Sequence, residues 1–205
     1  LTMVRTGEDG PKGVSAVLVE DGTPGLSFGA NERKMGWRAQ PTSQVQFDDC
    51  KIPANHLLGE EGAGFKYAMA GLDGGRLNIA ASALGAAQAA LEKALQYAQE
   101  RKAFGKHLAD FQAMQFKLAD MEIRLQAARA LLYKAAWKLD NKTPDAGKFC
   151  AMAKQFVTDA AFETANDALQ IHGGYGYLAD YGMEKIVRDL RVHQILEGTN
   201  EIMRM

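Results

Sequence analysis

Residues 195–203, "ILEGTNEIM", set the carboxylate of Glu197 against a glycine, between segments of helical character. On one reading Glu197 is exposed punctuation, ending one helix while Thr199 caps the next and Glu201 sits in its first turn. On the other it is a proton acceptor. A helix C-terminus disfavours an anion and a partly apolar setting disfavours charge further, which suits a general base working near neutral pH. His193 stands four residues earlier, on the same face of a continuing helix, but one such pair lacks the further ligands of a metal site. None of His56, His107, His172 or His193 has a Glu three residues before it, so the Glu-x-x-His pairs of a di-iron bundle are missing and no metal is expected.

Three other stretches carry residues that could hold a ligand. "IHGGYGYL", residues 171–178, lacks the Lys-Ser/Thr of a phosphate-binding P-loop and the last glycine of a dinucleotide fingerprint. Gly173 can cap a helix and Gly174 and Gly176 can serve a turn, yet glycine also lets backbone approach a cofactor edge. In "AQERKAFGKHLADFQ", residues 98–112, Arg101 and Lys102 either stabilise a helix C-terminus or, with Phe104 and Gln112, hold a diphosphate and a flat ring. "GLDGGRL", residues 71–77, puts Gly74 and Gly75 side by side in a helical context. Each costs about 1 kcal/mol relative to Ala there, so something should need the space they leave.

The elements that would position these groups change character along the chain. The first sixty or so residues are turn-rich with short β-type runs, "GVSAVLVED" and "SQVQFDD", whose partner strands are expected from outside this chain. "CKIPANHLLGEEGAG" reads as a linker. A first helix is expected over about 65–101, rich in alanine. A second follows "HLADFQ", with Phe111, Met114, Leu118, Met121, Leu125, Ala128, Leu132, Ala135 and Leu139 at steps of three and four. "NKTPDAG" makes a tight connection to a third, whose face runs through Phe149, Met152, Phe156 and Ala160, and a shorter fourth spans about 180–196. Antiparallel helices with short turns make a bundle.

With 205 residues, 47% of them hydrophobic, a real core is expected. The net charge of −1 and the absence of any Lys/Arg-rich run make nucleic acid an unlikely partner, and no apolar run reaches the length of a membrane span. Cys50 and Cys150 are far apart without metal or disulfide spacing, which fits a soluble protein of a reducing compartment. The chain opens without Met and stops as a helix begins, so a longer parent is expected.

Together the stretches resemble the acyl-CoA dehydrogenase family, flavoenzymes that place a trans double bond between Cα and Cβ of an acyl-CoA thioester. The similarity covers essentially the whole chain. "PTSQVQFDDCKIPANHLLGEEGAGF" is similar to the family's passage from its middle β-domain into its C-terminal helical domain, and "RKAFGKHLADFQ", "QIHGGYGY" and "VRDLRVHQILEGTNEI" follow in order and spacing. The resemblance implies a mainly α fold: a four-helix-bundle-type domain at 61–205, preceded at 1–60 by the incomplete end of a β-domain and a linker.

The same resemblance implies roles. Glu197 would remove the pro-R α-proton while the β-hydride passes to flavin N5, with the backbone N–H of Glu197 and a flavin ribitol hydroxyl stabilising the thioester oxygen. FAD would be touched by Arg101, Phe104 and Gln112, by Gln170, Ile171, His172, Gly173 and Gly174, and by Thr199, Asn200 and Glu201. Some of these would reach a neighbouring subunit's FAD, which implies a dimer and usually a homotetramer. Asp73, Gly74, Gly75 and Arg76 would line the acyl-CoA channel, with Leu196 beside the thioester. Electrons would pass to electron-transfer flavoprotein, in a bacterial cytoplasm or a mitochondrial matrix.

Two departures narrow this picture. Some members carry their base at the position of Gly75, and glycine cannot serve, which leaves Glu197. Many straight-chain members have Tyr where Leu196 stands, and "LDGGR", "HGGYGYL" and "HQILEGTNE" are most similar to the short branched-chain, isobutyryl-CoA-oxidising members. The family's N-terminal helical domain and first half of its β-domain have no counterpart in these residues. The alternatives are an acyl-CoA oxidase that uses oxygen and a catalytically silent helical assembly module.

Overall fold

The computed structural model describes all 205 residues, which form two compact units. The first comprises Leu1–Lys34 and Arg38–Leu72. Here β1 (Thr2–Arg5), β2 (Val14–Val17) and β5 (Leu57–Leu58) form an antiparallel sheet in the order β1-β2-β5, and β3 (Leu26–Phe28) pairs with β4 (Val45–Phe47). "GVSAVLVED" supplies a central strand paired on both sides within this chain, while β1 and β5, and both strands of the β3–β4 ladder, remain edges. Ser15 and Ala16 of β2 are buried. The Ser15 hydroxyl bonds Thr6 Oγ1 at 2.6 Å and accepts from the Gly62 N–H at 2.8 Å, so this buried polar group is satisfied. The β3–β4 ladder instead leaves Phe28, Val45 and Phe47 exposed.

The second unit, Met35–Trp37 with Asp73–Met205, has the expected mainly α fold. Its helices are α1 (Gly64–Glu100, which begins in the first unit), α2 (Gln112–Asp140), α3 (Ala146–His172) and α4 (Met183–Arg191). α1 gives way to a hairpin of β6 (Lys102–Ala103) and β7 (Lys106–His107), turned by Phe104 at φ 52° and Gly105 at φ 84°. Positive φ at both central residues matches the right-handed twist of the paired strands. No helix is long and apolar enough to cross a membrane.

α2 buries Leu118, Met121, Leu125, Ala128, Leu132 and Ala135, the face its spacing predicts. α3 does not follow its expected face. Met152 and Phe156 are exposed, and the buried stripe runs through Cys150, Ala153, Val157, Ala161, Ala165 and Ala168. The reason is the size of the contacts: α1 presents Ala80, Ala83, Ala87, Ala90 and Ala94 to the same core, and helices that meet through alanine can approach more closely than helices that meet through phenylalanine. Lys117 and Arg124 of α2 pair with Asp167 of α3 at 2.9 and 3.2 Å, fixing the register of the two helices. The expected fourth helix is interrupted. Gly182, at φ 69°, separates a 3₁₀ turn at Ala179–Tyr181 from α4, which has nine residues and tightens into another 3₁₀ turn at Val192–Gln194.

Close packing sets the sign of two stability changes. Ala90→Leu should cost about 1–3 kcal/mol by overpacking, and Leu125→Ala about 2–5 kcal/mol by leaving a cavity, both measured as shifts of the urea midpoint.

Candidate active site

Beyond the 3₁₀ turn at Val192–Gln194 the chain reverses through two consecutive left-handed residues, Glu197 at φ 57° and Gly198 at φ 88°. That backbone is ordinary for glycine but costs another residue roughly 1–2 kcal/mol. Glu197 follows directly on the last helical N–H groups, those of Ile195 and Leu196, which bond the Val192 carbonyl at 2.9 and 3.0 Å, so it stands in a strained left-handed turn at a helix C-terminus. The Asn200 N–H closes the turn on the Gln194 carbonyl at 3.0 Å. The cap expected of Thr199 survives only as a long contact from the Ile202 N–H, at 3.5 Å.

Facing the turn, α1 carries its paired glycines. A Cβ at Gly75 would lie 2.5 Å from Glu197 Oε2 and 3.0 Å from its Cδ, so the missing methyl makes room for the carboxylate. A Cβ at Gly74, the adjacent residue on the helix, would meet nothing within 4 Å. Asp73 and Arg76 flank the glycines and pair at 2.7 Å, while Arg76 Nε is buried with no partner. The structure therefore brings Asp73, Gly74, Gly75 and Arg76 together with Glu197, and half-buried Leu196 precedes it in the turn.

α3 supplies a residue that the sequence reading missed. Lys154 is fully buried, and its ammonium donates to the Gly198 carbonyl at 2.7 Å and to Asn200 Oδ1 at 2.8 Å. Asn200 Nδ2 in turn donates to Thr158 Oγ1 at 3.0 Å and Asp159 Oδ1 at 2.7 Å. Burial pushes the Lys154 ammonium below its ordinary range, against the carboxylates of Asp159, Glu201 and Glu197, which favour the charge. A signal existed: Lys154 is a charge inside the Cys150, Val157, Ala161 stripe. Thr199, Asn200 and Glu201 line a cleft of about 170 Å³ beside Asp159, Arg191 and Arg204. The Glu201 carboxyl is held low by its own backbone N–H and then by the Thr199 hydroxyl.

A second cleft, of about 400 Å³, opens at the other end of α3, and Arg101, Ile171, His172, Gly173 and Gly174 all line it. Tyr97 and Tyr175 join them, unforeseen from sequence. Tyr97 stacks on His172 with ring centroids 4.3 Å apart, and the Arg101 guanidinium lies over Tyr175 at 5.4 Å. His172 Nδ1 donates to the Ala168 carbonyl at 2.8 Å, which fixes that ring. Gly173 caps α3 at φ 59°, and a Cβ at Gly173 or Gly174 would meet no atom within 4 Å. A cation, stacked rings and bare backbone suit an anionic group with a flat ring.

The remaining candidates stand apart. Phe104 is 96% exposed at the tip of its hairpin, and Gln112 and Gln170 are exposed as well. The Thr199–Glu201 group packs on α3 near Thr158, whereas the larger cleft begins at His172. At about 1.5 Å of rise per residue, roughly 20 Å of helix separates them.

His193, considered as a metal partner of Glu197, is instead buried against Trp37, with ring centroids 5.0 Å apart and no hydrogen-bond partner at either ring nitrogen. Burial pushes its imidazolium down to about 4, with Asp189 countering in part.

Long helices that close a carboxylate turn against a glycine notch, with a cationic and aromatic cleft at the far end of α3, make this a helical-bundle domain with two clefts. The chain belongs to the acyl-CoA dehydrogenase family: residues 62–205 match the model of its C-terminal domain. Among curated relatives, the mitochondrial isobutyryl-CoA dehydrogenase of Bos taurus is 54% identical over 205 residues, 100% of this chain and 49% of the relative. The solved butyryl-CoA dehydrogenase of Megasphaera elsdenii superposes with a TM-score of 0.94 at 46% identity, over 99% of this chain and 53% of that one. A structure described as the FAD complex of PigA gives 0.92 at 33% identity, over 98% and 53%. The chain spans about half the length of the curated relatives it matches.

Two measurements follow from this geometry. Gly75→Ala should leave the thermal midpoint unchanged or raised, since Ala gains about 1 kcal/mol over Gly in a helix, while a crystal structure shows the Glu197 carboxylate displaced. For His193, stability is complete above pH 6.5, because the folded chain keeps the ring neutral, and is lost as pH falls from 6.5 to about 4. His193→Phe should flatten the dependence of the thermal midpoint on pH across that window.

Proposed function

We propose that this chain carries the proton-abstracting and flavin-contacting part of an FAD-dependent acyl-CoA dehydrogenase. The substrate is a short, α-branched acyl-CoA such as isobutyryl-CoA, the product is the enoyl-CoA, and electrons leave to electron-transfer flavoprotein. The observation that carries the reading is the Glu197 carboxylate seated in the volume freed by Gly75. Family membership and the likeness to the bovine isobutyryl-CoA dehydrogenase support it. On this reading residues 1–60 end a β-domain and 61–205 form the catalytic helical domain, working in a bacterial cytoplasm or a mitochondrial matrix.

Glu197 takes the α-proton on a carboxylate oxygen, and its backbone N–H donates to the thioester carbonyl, where negative charge develops as the proton leaves. The open space beside Gly74 lets an acyl group lie next to the base, with Leu196 shaping that end for a compact branch. Asp73 and Arg76 wall the channel, and the buried, unpartnered Arg76 Nε is a donor for a ligand acceptor. When bound, FAD supplies the acceptor for the β-hydride.

Arg101, Ile171, His172, Gly173 and Gly174 hold one flavin, and Thr199, Asn200 and Glu201 hold another. Two groups roughly 20 Å apart along α3 cannot serve one phosphate or one ring. Two flavins on one chain, shared with a second copy, account for both, and for outward-facing Phe104, Gln112 and Gln170. Phe116, Ile123 and Trp137 form an exposed stripe on α2 at steps of seven and fourteen residues, a face for further assembly towards a homotetramer.

Mixing the purified protein with isobutyryl-CoA in the absence of oxygen should bleach its flavin absorbance. Glu197→Gln should keep the flavin and lose about 10²–10⁴-fold of the bleaching rate, and a fully active Gln variant would end the assignment. Hydrogen peroxide formed in air would favour an oxidase. A colourless protein that neither binds FAD nor joins a flavin-bearing partner would favour a silent assembly module.

A further inference from the structure

We infer that Lys154 is the positioning residue for the base, acting on Glu197 through the Gly198 carbonyl and the Asn200 side chain. The inference rests on the reading of Glu197 as proton acceptor. Lys154 occupies a place in the α3 stripe where an apolar side chain would pack without losing any hydration, and burying an ammonium there is costly unless it is hydrogen-bonded. Both of its hydrogen-bond partners belong to one turn, 2.7 Å away at Gly198 and 2.8 Å away at Asn200. No carboxylate lies within ion-pair distance of it to make the pairing a generic salt bridge. Its direct hydrogen bonds therefore go to Gly198 and Asn200, two of the three residues that follow Glu197, while the carboxylates of Asp159, Glu201 and Glu197 favour the charge without pairing with it.

That turn needs an anchor. Glu197 and Gly198 are both left-handed, and a strained non-glycine conformation persists only where its surroundings hold it. The Lys154 ammonium grips the carbonyl immediately after the two left-handed residues. Asn200 is gripped again from α3 by Thr158 and Asp159, and by its own N–H on Gln194. Released at Gly198, the Glu197 backbone relaxes towards negative φ and swings the carboxylate out of the Gly75 notch. Lys154 does not touch the substrate on this account. It sets where the carboxylate stands.

Four proteins test this: wild type, Lys154→Met, Glu197→Gln, and Val157→Ala as a core substitution on the same helix. Amide hydrogen exchange at Asn200, read on the folded protein, is followed with thermal midpoint, kcat and KM. Lys154→Met should speed Asn200 exchange about tenfold or more and lower kcat about 10²-fold with KM within about threefold, the pattern of a misplaced catalytic group. Val157→Ala should lower the thermal midpoint yet keep kcat and Asn200 exchange near wild type. Lys154→Met with wild-type kcat beside an inactive Glu197→Gln overturns the role of Lys154 alone. Equal losses of kcat in Lys154→Met and Val157→Ala reduce it to a fold effect and overturn it too. A fully active Glu197→Gln removes the base itself. Should the Met variant fail to fold, Lys154→Gln keeps one N–H donor and is expected to fold with intermediate kcat, and wild-type kcat in it overturns the inference.

Discussion

A carboxylate and a methyl group cannot share one volume, and the arrangement of the site follows from that exclusion. Gly75 has no Cβ, and the Glu197 carboxylate oxygen stands 2.5 Å from where one would be, inside the space it would fill. To reach that place the chain turns through left-handed backbone at Glu197, which no side chain favours. To hold the turn, α3 buries Lys154. Glycine in a helix, strain in a turn and a cation in a core are each unfavourable locally, and all three converge on one carboxylate. Local rules broken together at one place mark a functional site more clearly than any single residue type does.

The bundle makes this convergence possible through small residues. α1 and α3 meet the core through alanines, so the glycine notch of one and the lysine of the other reach the same turn. Ion pairs of Lys117 and Arg124 with Asp167 keep α2 and α3 from sliding. The segment Met35–Trp37 docks on α4, where the Trp37 N–H donates to Asp189 at 2.6 Å and Arg188 donates to the Met35 carbonyl at 2.8 Å. That contact buries His193 and steadies the approach to the turn.

Much of the helical architecture was legible because large apolar residues carry its period. α2 declared itself through Leu118, Met121, Leu125 and Leu132, which are both bulky and inward. α3 was misread by the same logic, since its bulky residues Met152 and Phe156 face out while alanines face in. Short-range breaks were harder to see. Gly182 splits the last helical segment, and a continuous amphipathic pattern gives no warning of one left-handed residue. In the larger cleft, the glycines and Arg101 were visible as a motif, but Tyr97 and Tyr175 read as ordinary helix and loop residues until His172 and Arg101 were set against them.

The sequence by itself determined the family, the mainly α class, the course of the long helices and the choice of Glu197 over the glycine at 75 as candidate base. The helices rest on local periodicity, and the family and the choice of base on resemblance to that family's motifs, whose residues are near neighbours in the chain. Only the tertiary structure decided that Glu197 sits in a left-handed turn, that Gly75 yields its volume to that carboxylate, and that Lys154 grips Gly198. It also divided the candidate cofactor residues into two groups along α3. Each of these depends on atoms brought together from helices far apart in sequence, where the packing of alanine faces, and not any spacing along the chain, fixes what meets what.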